Sequence, residues 1–356
     1  MRVLITGICG FVGSSIAFAL RQQGDNVKIF GVDNLVRQGS ERNRSVLRDQ
    51  GIQVFHGDIR MSSDMAAMPP ADWVIDAAAN PSVLAGVDGK SSPLQLLESN
   101  LWGTVGILEY CRRHGAGLVL LSSSRVYSTH ALAGLPLREE DAAFVLDTMR
   151  PLPPGVSAEG VGPDFSTSAP ISLYGATKVA SEVLALEYGC TFQFPVWVNR
   201  CGVLAGAGQF GMPDQGILAF WLNTHLRKKP LRYIGYGEKG YQSRDALHPQ
   251  DLAALVLRQI GSPRVGGTRL YTVGGGNTRL FSLARLTAWC DARFGRRDIG
   301  VDPVPRLNDI PWFVTDSALA GRDFGWSPET SLEQMLEGIA CHAEKHPDWL
   351  SVSGAL

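Results

Sequence analysis

From residue 3 to about residue 200, short apolar runs alternate with stretches whose apolar residues recur at helical spacing. That is the pattern of repeated βα units, and it predicts an α/β fold built on a doubly wound parallel sheet of the Rossmann kind. The runs at 3–5, 27–32, 53–55, 73–76, 118–121 and 194–198 read as strands. Helical periodicity marks 12–23, where Ile16, Ala19 and Leu20 share a face, and then 101–113 and 178–188.

Beyond Cys201 the pattern loosens into a glycine-rich loop at 206–216, a helix at 217–228 and a strand at 231–237. A helix–strand unit follows at 251–260 and 269–273, then helices near 283–294 and 332–346. The expected organisation is a dinucleotide-binding body of 1–202 and 245–275 with a smaller, discontinuous C-terminal lobe of 203–244 and 276–356 that binds substrate. Between them, 128–170 is rich in Pro, Gly and Ser, too irregular for a helix and too long for an ordinary βα connection. It predicts a surface insertion near the active site. No internal repeat is evident.

Composition narrows the partners. With 33 basic against 34 acidic residues and no Lys/Arg run, the chain carries no footprint for nucleic acid or a membrane surface. Its six cysteines are scattered without a C-x-x-C pair, which fits a reduced cytosolic protein better than a disulfide scaffold or a zinc site. No window approaches the roughly 18 apolar residues of a membrane span. The first residues already form a strand running into a glycine loop, which leaves no room for a signal peptide. A cytoplasmic location follows as the expectation.

That loop, Thr6-Gly7-Ile8-Cys9-Gly10-Phe11-Val12-Gly13, joins the first strand to the first helix. Gly7 suits the tight turn, Gly10 a close approach to a pyrophosphate and Gly13 helix–sheet packing, with phosphates at the positive helix end. Asp33 closes the second strand about 20 residues on, where an acid accepts hydrogen bonds from the adenine ribose and repels a 2′-phosphate. The cofactor is therefore expected to be NAD, although Arg37 and Arg42 stand close enough to offset that preference in part. Asp58 is placed for the adenine edge or, equally, for a helix N-cap.

Tyr174 and Lys178 are four apart on a helix and so share a face. An ordinary phenol titrates near 10, and making one a base at neutral pH takes roughly 4 kcal/mol of phenolate stabilisation. A nearby ammonium and a nicotinamide ring can supply it. Ser123, in a serine run after the fifth strand, can hydrogen-bond the same substrate hydroxyl. Isolated Y-x-x-x-K pairs are common by chance; the order glycine loop, acid, serine, Tyr-Lys is what gives this one meaning.

These segments, with Asn100 in Asn100-Leu101-Trp102-Gly103-Thr104 and Ser122-Ser123-Ser124-Arg125-Val126-Tyr127, resemble the extended short-chain dehydrogenase/reductase family of sugar-nucleotide epimerases and dehydratases. The resemblance covers nearly the whole chain. It implies Ser123, Tyr174 and Lys178 as catalytic residues. It implies a cofactor site of Gly7, Gly10, Phe11, Val12, Gly13, Asp33, Asn34, Arg37, Asp58, Ile59, Ala77, Ala78 and Asn100 together with Tyr174 and Lys178. For a nucleotide-sugar substrate it implies Asn80, Ser124, Arg125, Gln209, Gln215, Tyr233 and, at the diphosphate, Arg244. A homodimer or homotetramer is a further family expectation, as is a role in carbohydrate biosynthesis.

A 4,6-dehydratase needs an acid and a base in the two positions after the catalytic Ser, and Ser124 and Arg125 stand there instead. Residues 33–40 and 199–216 look most like the branch of CDP-paratose (CDP-tyvelose) 2-epimerases, which oxidise C2 of a nucleotide-linked hexose and return the hydride to the opposite face. The alternatives are epimerisation at C4, another sugar-nucleotide oxidoreduction or dehydration, and a non-catalytic NAD sensor. Two departures stand out: Val203 where many relatives carry Asn, and the long separation of Ser123 from Tyr174. His342 and His346, spaced i, i+4, read as a solvated helix face rather than a metal site.

Overall fold

A computed structural model describes residues 1–22, 27–89, 91–263 and 269–355. Gln23, the expected end of the first helix, lies outside these residues, as do 264–268 of the expected body and Leu356. Among the described residues seven parallel strands form one sheet. They are β1 (Arg2–Thr6), β2 (Lys28–Asp33), β3 (Gln53–His56), β4 (Trp73–Asp76), β5 (Gly117–Ser123) and the strands Val196–Cys201 and Leu270–Val273. Across the sheet the order runs Leu270–Val273, Val196–Cys201, β5, β4, β1, β2, β3. Strand order reverses between β1 and β4, which opens a crevice at their carboxyl ends.

Alternation along each strand feeds two cores. Val3, Ile5, Ile75, Val119 and Trp197 meet α1 (Phe11–Gln22) and the Pro249–Ile260 helix on one face. Leu4, Val74, Leu118, Leu120 and Val198 meet the Gly103–His114 and Leu173–Thr191 helices on the other. The expected 194–198 strand is displaced to Val196–Cys201, since Pro195 has no N–H to donate and contributes its carbonyl to Leu118 N instead, at 2.9 Å. The Leu173–Thr191 helix starts five residues before the periodicity shows, because Ser172 caps it and small residues fill its first turn.

In the C-terminal part, Val203–Leu204, Ser243–Leu247, Leu280–Ser282 and Trp312–Phe313 pair into a second sheet. It packs with the helices Ile217–Leu226, Leu283–Phe294 and Leu332–Lys345. The strand expected at 231–237 is only Arg232–Ile234, because Gly235 and Gly237 take positive φ and turn the chain. Ala320 and Trp326 pack back onto the main sheet's core, and the Trp326 indole donates to Asp251 O at 2.8 Å.

The stretch 128–170 is not a mere surface excursion. It holds a short helix, Thr129–Ala133, and a hairpin of Leu137–Glu140 with Ala143–Leu146. Leu132, Leu135, Val161 and Phe165 share a core with Ile310, Trp312, Phe313 and Val314. Local sequence could not show this, because the apolar partners come from the far end of the chain.

Candidate functional site

A cleft of ≈ 750 Å³ lies at the carboxyl edge of the main sheet, walled on its far side by the second sheet and its loops. Gly7, at φ +63°, begins its floor. A Cβ there would come within 2.9 Å of the Ala78 Cα, and one on Gly13 would collide with the Gly7 carbonyl. Glycine at both points lets β1, β4 and α1 close together, so that the start of α1 faces the cleft with its free N–H groups. Gly10, Phe11 and Val12 line it as well, and so do Ala77 and Ala78 at the end of β4.

Asp33 ends β2 beside this loop. One carboxylate oxygen accepts from Cys9 N at 2.9 Å and the other from Leu35 N at 2.8 Å. Burial pushes its carboxyl up, and these backbone bonds oppose that. The two arginines able to soften its selectivity are engaged elsewhere. Arg37 donates to Gln215 Oε1 at 2.8 Å and to the Phe210 carbonyl, while Arg42 pairs with Asp348 at 2.9 Å. Among the described residues no guanidinium is thus paired with Asp33, which fits a cleft for NAD. Asp58 is held at about 2 chiefly by its hydrogen bonds from Arg60, with Asn34 donating to it at 3.1 Å. The next helix begins at Ser62 with Met61 as its cap, so Asp58 faces the cleft with Ile59 and caps no helix.

Ser123 and Tyr174 reach the cleft from neighbouring elements. Ser123 ends β5, and its hydroxyl accepts from Arg125 N at 3.1 Å, tightening the turn Ser124–Val126. Tyr174 is the second residue of the Leu173–Thr191 helix. Gly175 beside it packs so closely on the Arg125 carbonyl that a Cβ has no room. The serine turn and the helix start are therefore locked together.

Lys178 and Asn100 do not line the cleft; both are buried just behind its wall. Lys178 is the main charge opposing the burial-driven rise of the Asp76 carboxyl, which also accepts from Thr6 at 2.7 Å. Asn100, in a π-helical turn Glu98–Trp102, accepts from Asn80 N at 2.8 Å and donates to Asn80 O at 3.1 Å and Thr177 Oγ1 at 3.3 Å. It braces the loop that presents Asn80.

Of the residues expected to meet substrate, Asn80, Ser124, Arg125, Gln209, Gln215 and Arg244 all line the cleft. Tyr233 does not. Its ring stacks on Trp221 at 5.7 Å and its hydroxyl donates to Thr287 at 2.8 Å, whereas its neighbours Arg232 and Ile234 face the cleft. A strand's alternation put the expectation one residue off. Arg244 donates to Ile310 O at 2.7 Å and pairs with Asp309 at 3.2 Å; burial, then Arg125, pushes it down to about 10.

Sequence reading missed Asp309, which sits in an unremarkable loop. It also missed the crossing made by 209–216, where Arg37 holds one side and Ser82 donates to Asp214 at 2.5 Å on the other. The glycines and Pro213 in that segment mark a loop but not where it leads. Ser353 and Gly354 at the other end of the chain reach the cleft too. His342 is no solvated face: its ring lies 4.4 Å from that of Trp349, whose indole donates to Gln209 O at 2.8 Å.

A model of the family described as NAD dependent epimerase/dehydratase matches residues 3–274. The chain is 28% identical to CDP-paratose 2-epimerase of Salmonella typhi over 99% of each chain. It is 25% identical to UDP-glucuronate 4-epimerase 2 of Arabidopsis thaliana over 95% of this chain and 74% of that one. The crystal structure of UDP-glucose 4-epimerase from Bifidobacterium longum in complex with NAD+ and UDP superposes with a TM-score of 0.78 at 20% identity, covering 98% of this chain and 100% of that one.

Proposed function

The chain belongs to the NAD dependent epimerase/dehydratase family, and from that premise we propose that it inverts one carbon of a nucleotide-activated hexose by oxidation to a keto-sugar and reduction on the opposite face. NAD supplies the hydride acceptor and donor. The observation that carries this reading is the meeting of Ser123 and Tyr174 with the glycine loop and Asp33 in one cleft. Tyr174 takes the proton of the reacting hydroxyl and later returns it, while Ser123 holds that oxygen by a hydrogen bond. Lys178, one helical turn on, supplies positive charge behind the phenol. A sensor has no use for such a proton-transfer set.

C2 is the proposed carbon, supported by the likeness to the Salmonella typhi enzyme and by the 209–216 segment over the cleft. The likeness to the UDP-glucuronate 4-epimerase favours C4 as the second reading. Asn80, Ser124, Gln209 and Gln215 surround the sugar and nucleotide in either case. The chain acts as a homodimer or homotetramer; Leu94, Leu97, Trp102 and Val183 form exposed apolar surface on the helices around 93–114 and 173–191. Sedimentation at a monomer mass would remove that assembly.

The test is incubation of the protein with CDP-, UDP- and GDP-hexoses, read by sugar NMR and by absorbance of NADH. Inversion at one carbon without net NADH is expected. Tyr174→Phe should lower turnover by at least about 10²-fold with NAD still bound. Normal turnover by that variant would remove Tyr174 as the base.

A further inference from the structure

Arg125 stands out among the charges of the cleft. Its guanidinium donates one hydrogen bond, from Nη1 to Asn308 O at 3.3 Å, and among the described residues no carboxylate pairs with it. The acid nearest to serving it, Asp309, is already paired with Arg244. Two guanidiniums therefore line the cleft with Asp309, and among the described residues its carboxylate is ion-paired with Arg244 alone. Burial pushes both down, and Arg125 adds to the effect on Arg244. Half-burying a cation without a partner costs free energy that an anionic ligand would recover.

The place of the charge says which part of a ligand it meets. Arg125 leaves the same short turn that presents Ser123, and its backbone N–H is bonded to the Ser123 hydroxyl. Its carbonyl abuts Gly175, next to Tyr174, and its guanidinium reaches Asn308 O. Arg125 thus enters the cleft from the turn that adjoins the proton-transfer pair, where the sugar lies, whereas Arg244 projects from the second sheet.

We propose that Arg125 binds an anionic substituent of the sugar, a carboxylate on the hexose ring, and so selects nucleotide-linked uronic acids over neutral hexoses. This rests on the epimerase reading for the position of the sugar, and it holds for inversion at either carbon. A guanidinium presents paired N–H donors that match a carboxylate, and a neutral hydroxymethyl group cannot use that charge.

The test is calorimetric binding of matched neutral and uronate forms of UDP-, CDP- and GDP-sugars to the NAD-loaded protein, with inversion followed by NMR in the same samples. The wild type should bind one uronate form about 30-fold more tightly than its neutral counterpart. Arg125→Gln should remove most of that preference, and Arg125→Lys should restore part of it. Equal affinity for the two forms, or an equal loss on both in Arg125→Gln, overturns the inference; the equal loss would assign Arg125 to the diphosphate. Inversion of neutral sugars would leave the epimerase reading standing in that event. A uronate preference without inversion of any sugar would sink that reading and keep the anion site.

Discussion

Glu182 and Arg200 form an ion pair of 2.7 Å with almost no solvent access, linking the Leu173–Thr191 helix to the Val196–Cys201 strand. Ser122 donates to the same carboxylate, and Arg200 also donates to Pro163 O at 2.8 Å and lies over the Tyr127 ring. Tyr174, Lys178 and Glu182 follow one another at helical spacing of four, so this pair fixes the rotation of the helix that carries the proposed base.

Removing one partner strands the other charge inside. Glu182→Gln should therefore destabilise the fold by about 3–5 kcal/mol, read as a lower urea midpoint. The double change Glu182→Met with Arg200→Met should recover much of that loss, because no unpaired charge remains. If the single variant unfolds at the wild-type midpoint, the pair contributes nothing to stability.

A smaller change should move the catalytic pair without touching it. Gly175→Ala places a methyl where the Arg125 carbonyl already sits, so the helix start must shift away from the serine turn. Misplacement by about 1 Å costs roughly 10²-fold in rate, and turnover should drop by about that factor. NAD affinity should hold, since the glycine loop and Asp33 are on other elements. Unchanged turnover would show that the helix start yields harmlessly.

Much of this was legible in the sequence, for reasons that particular residues make plain. Gly7, Gly13 and Asp33 act through backbone conformation and short local spacing, and strands such as 73–76 declare themselves by composition alone. Asp309, Ser82 with Asp214, and the core under 128–170 depend on partners far along the chain, to which no local pattern points. Tyr233 shows the intermediate case. Its strand was legible, but with only three residues the alternation gave no way to tell which side faced the cleft.

Arg37 lines the cleft and donates to Gln215 and Phe210 across it. With Ser82 on Asp214 and Arg306 on Pro213 O at 3.0 Å, the 209–216 segment is tied over the opening from several sides. Arg37→Ala removes two of these ties, each worth about 1 kcal/mol. NAD should then dissociate about 10-fold or more faster, measured by dilution and fluorescence. A dissociation rate equal to that of the wild type would mean that the segment does not hold the cofactor in.

Acid should loosen the same roof from its far end. His342 is pushed down to about 4, first by burial and then by the charges of His346, Arg227 and Lys345. Its ring packs on Trp349, which in turn stacks on Phe210 at 5.4 Å beside the cleft. In the unfolded chain the same imidazole titrates near 6.5, so the unfolded state takes up a proton that the folded state refuses. Stability from this group is complete above about pH 6.5 and falls as the pH drops toward 4. Melting temperature should decline across that window, and His342→Gln, which cannot be protonated, should flatten the decline. The variant's starting stability is a separate matter, because only the slope against pH reports the buried imidazole. An identical slope in both proteins would trace the acid sensitivity to other groups.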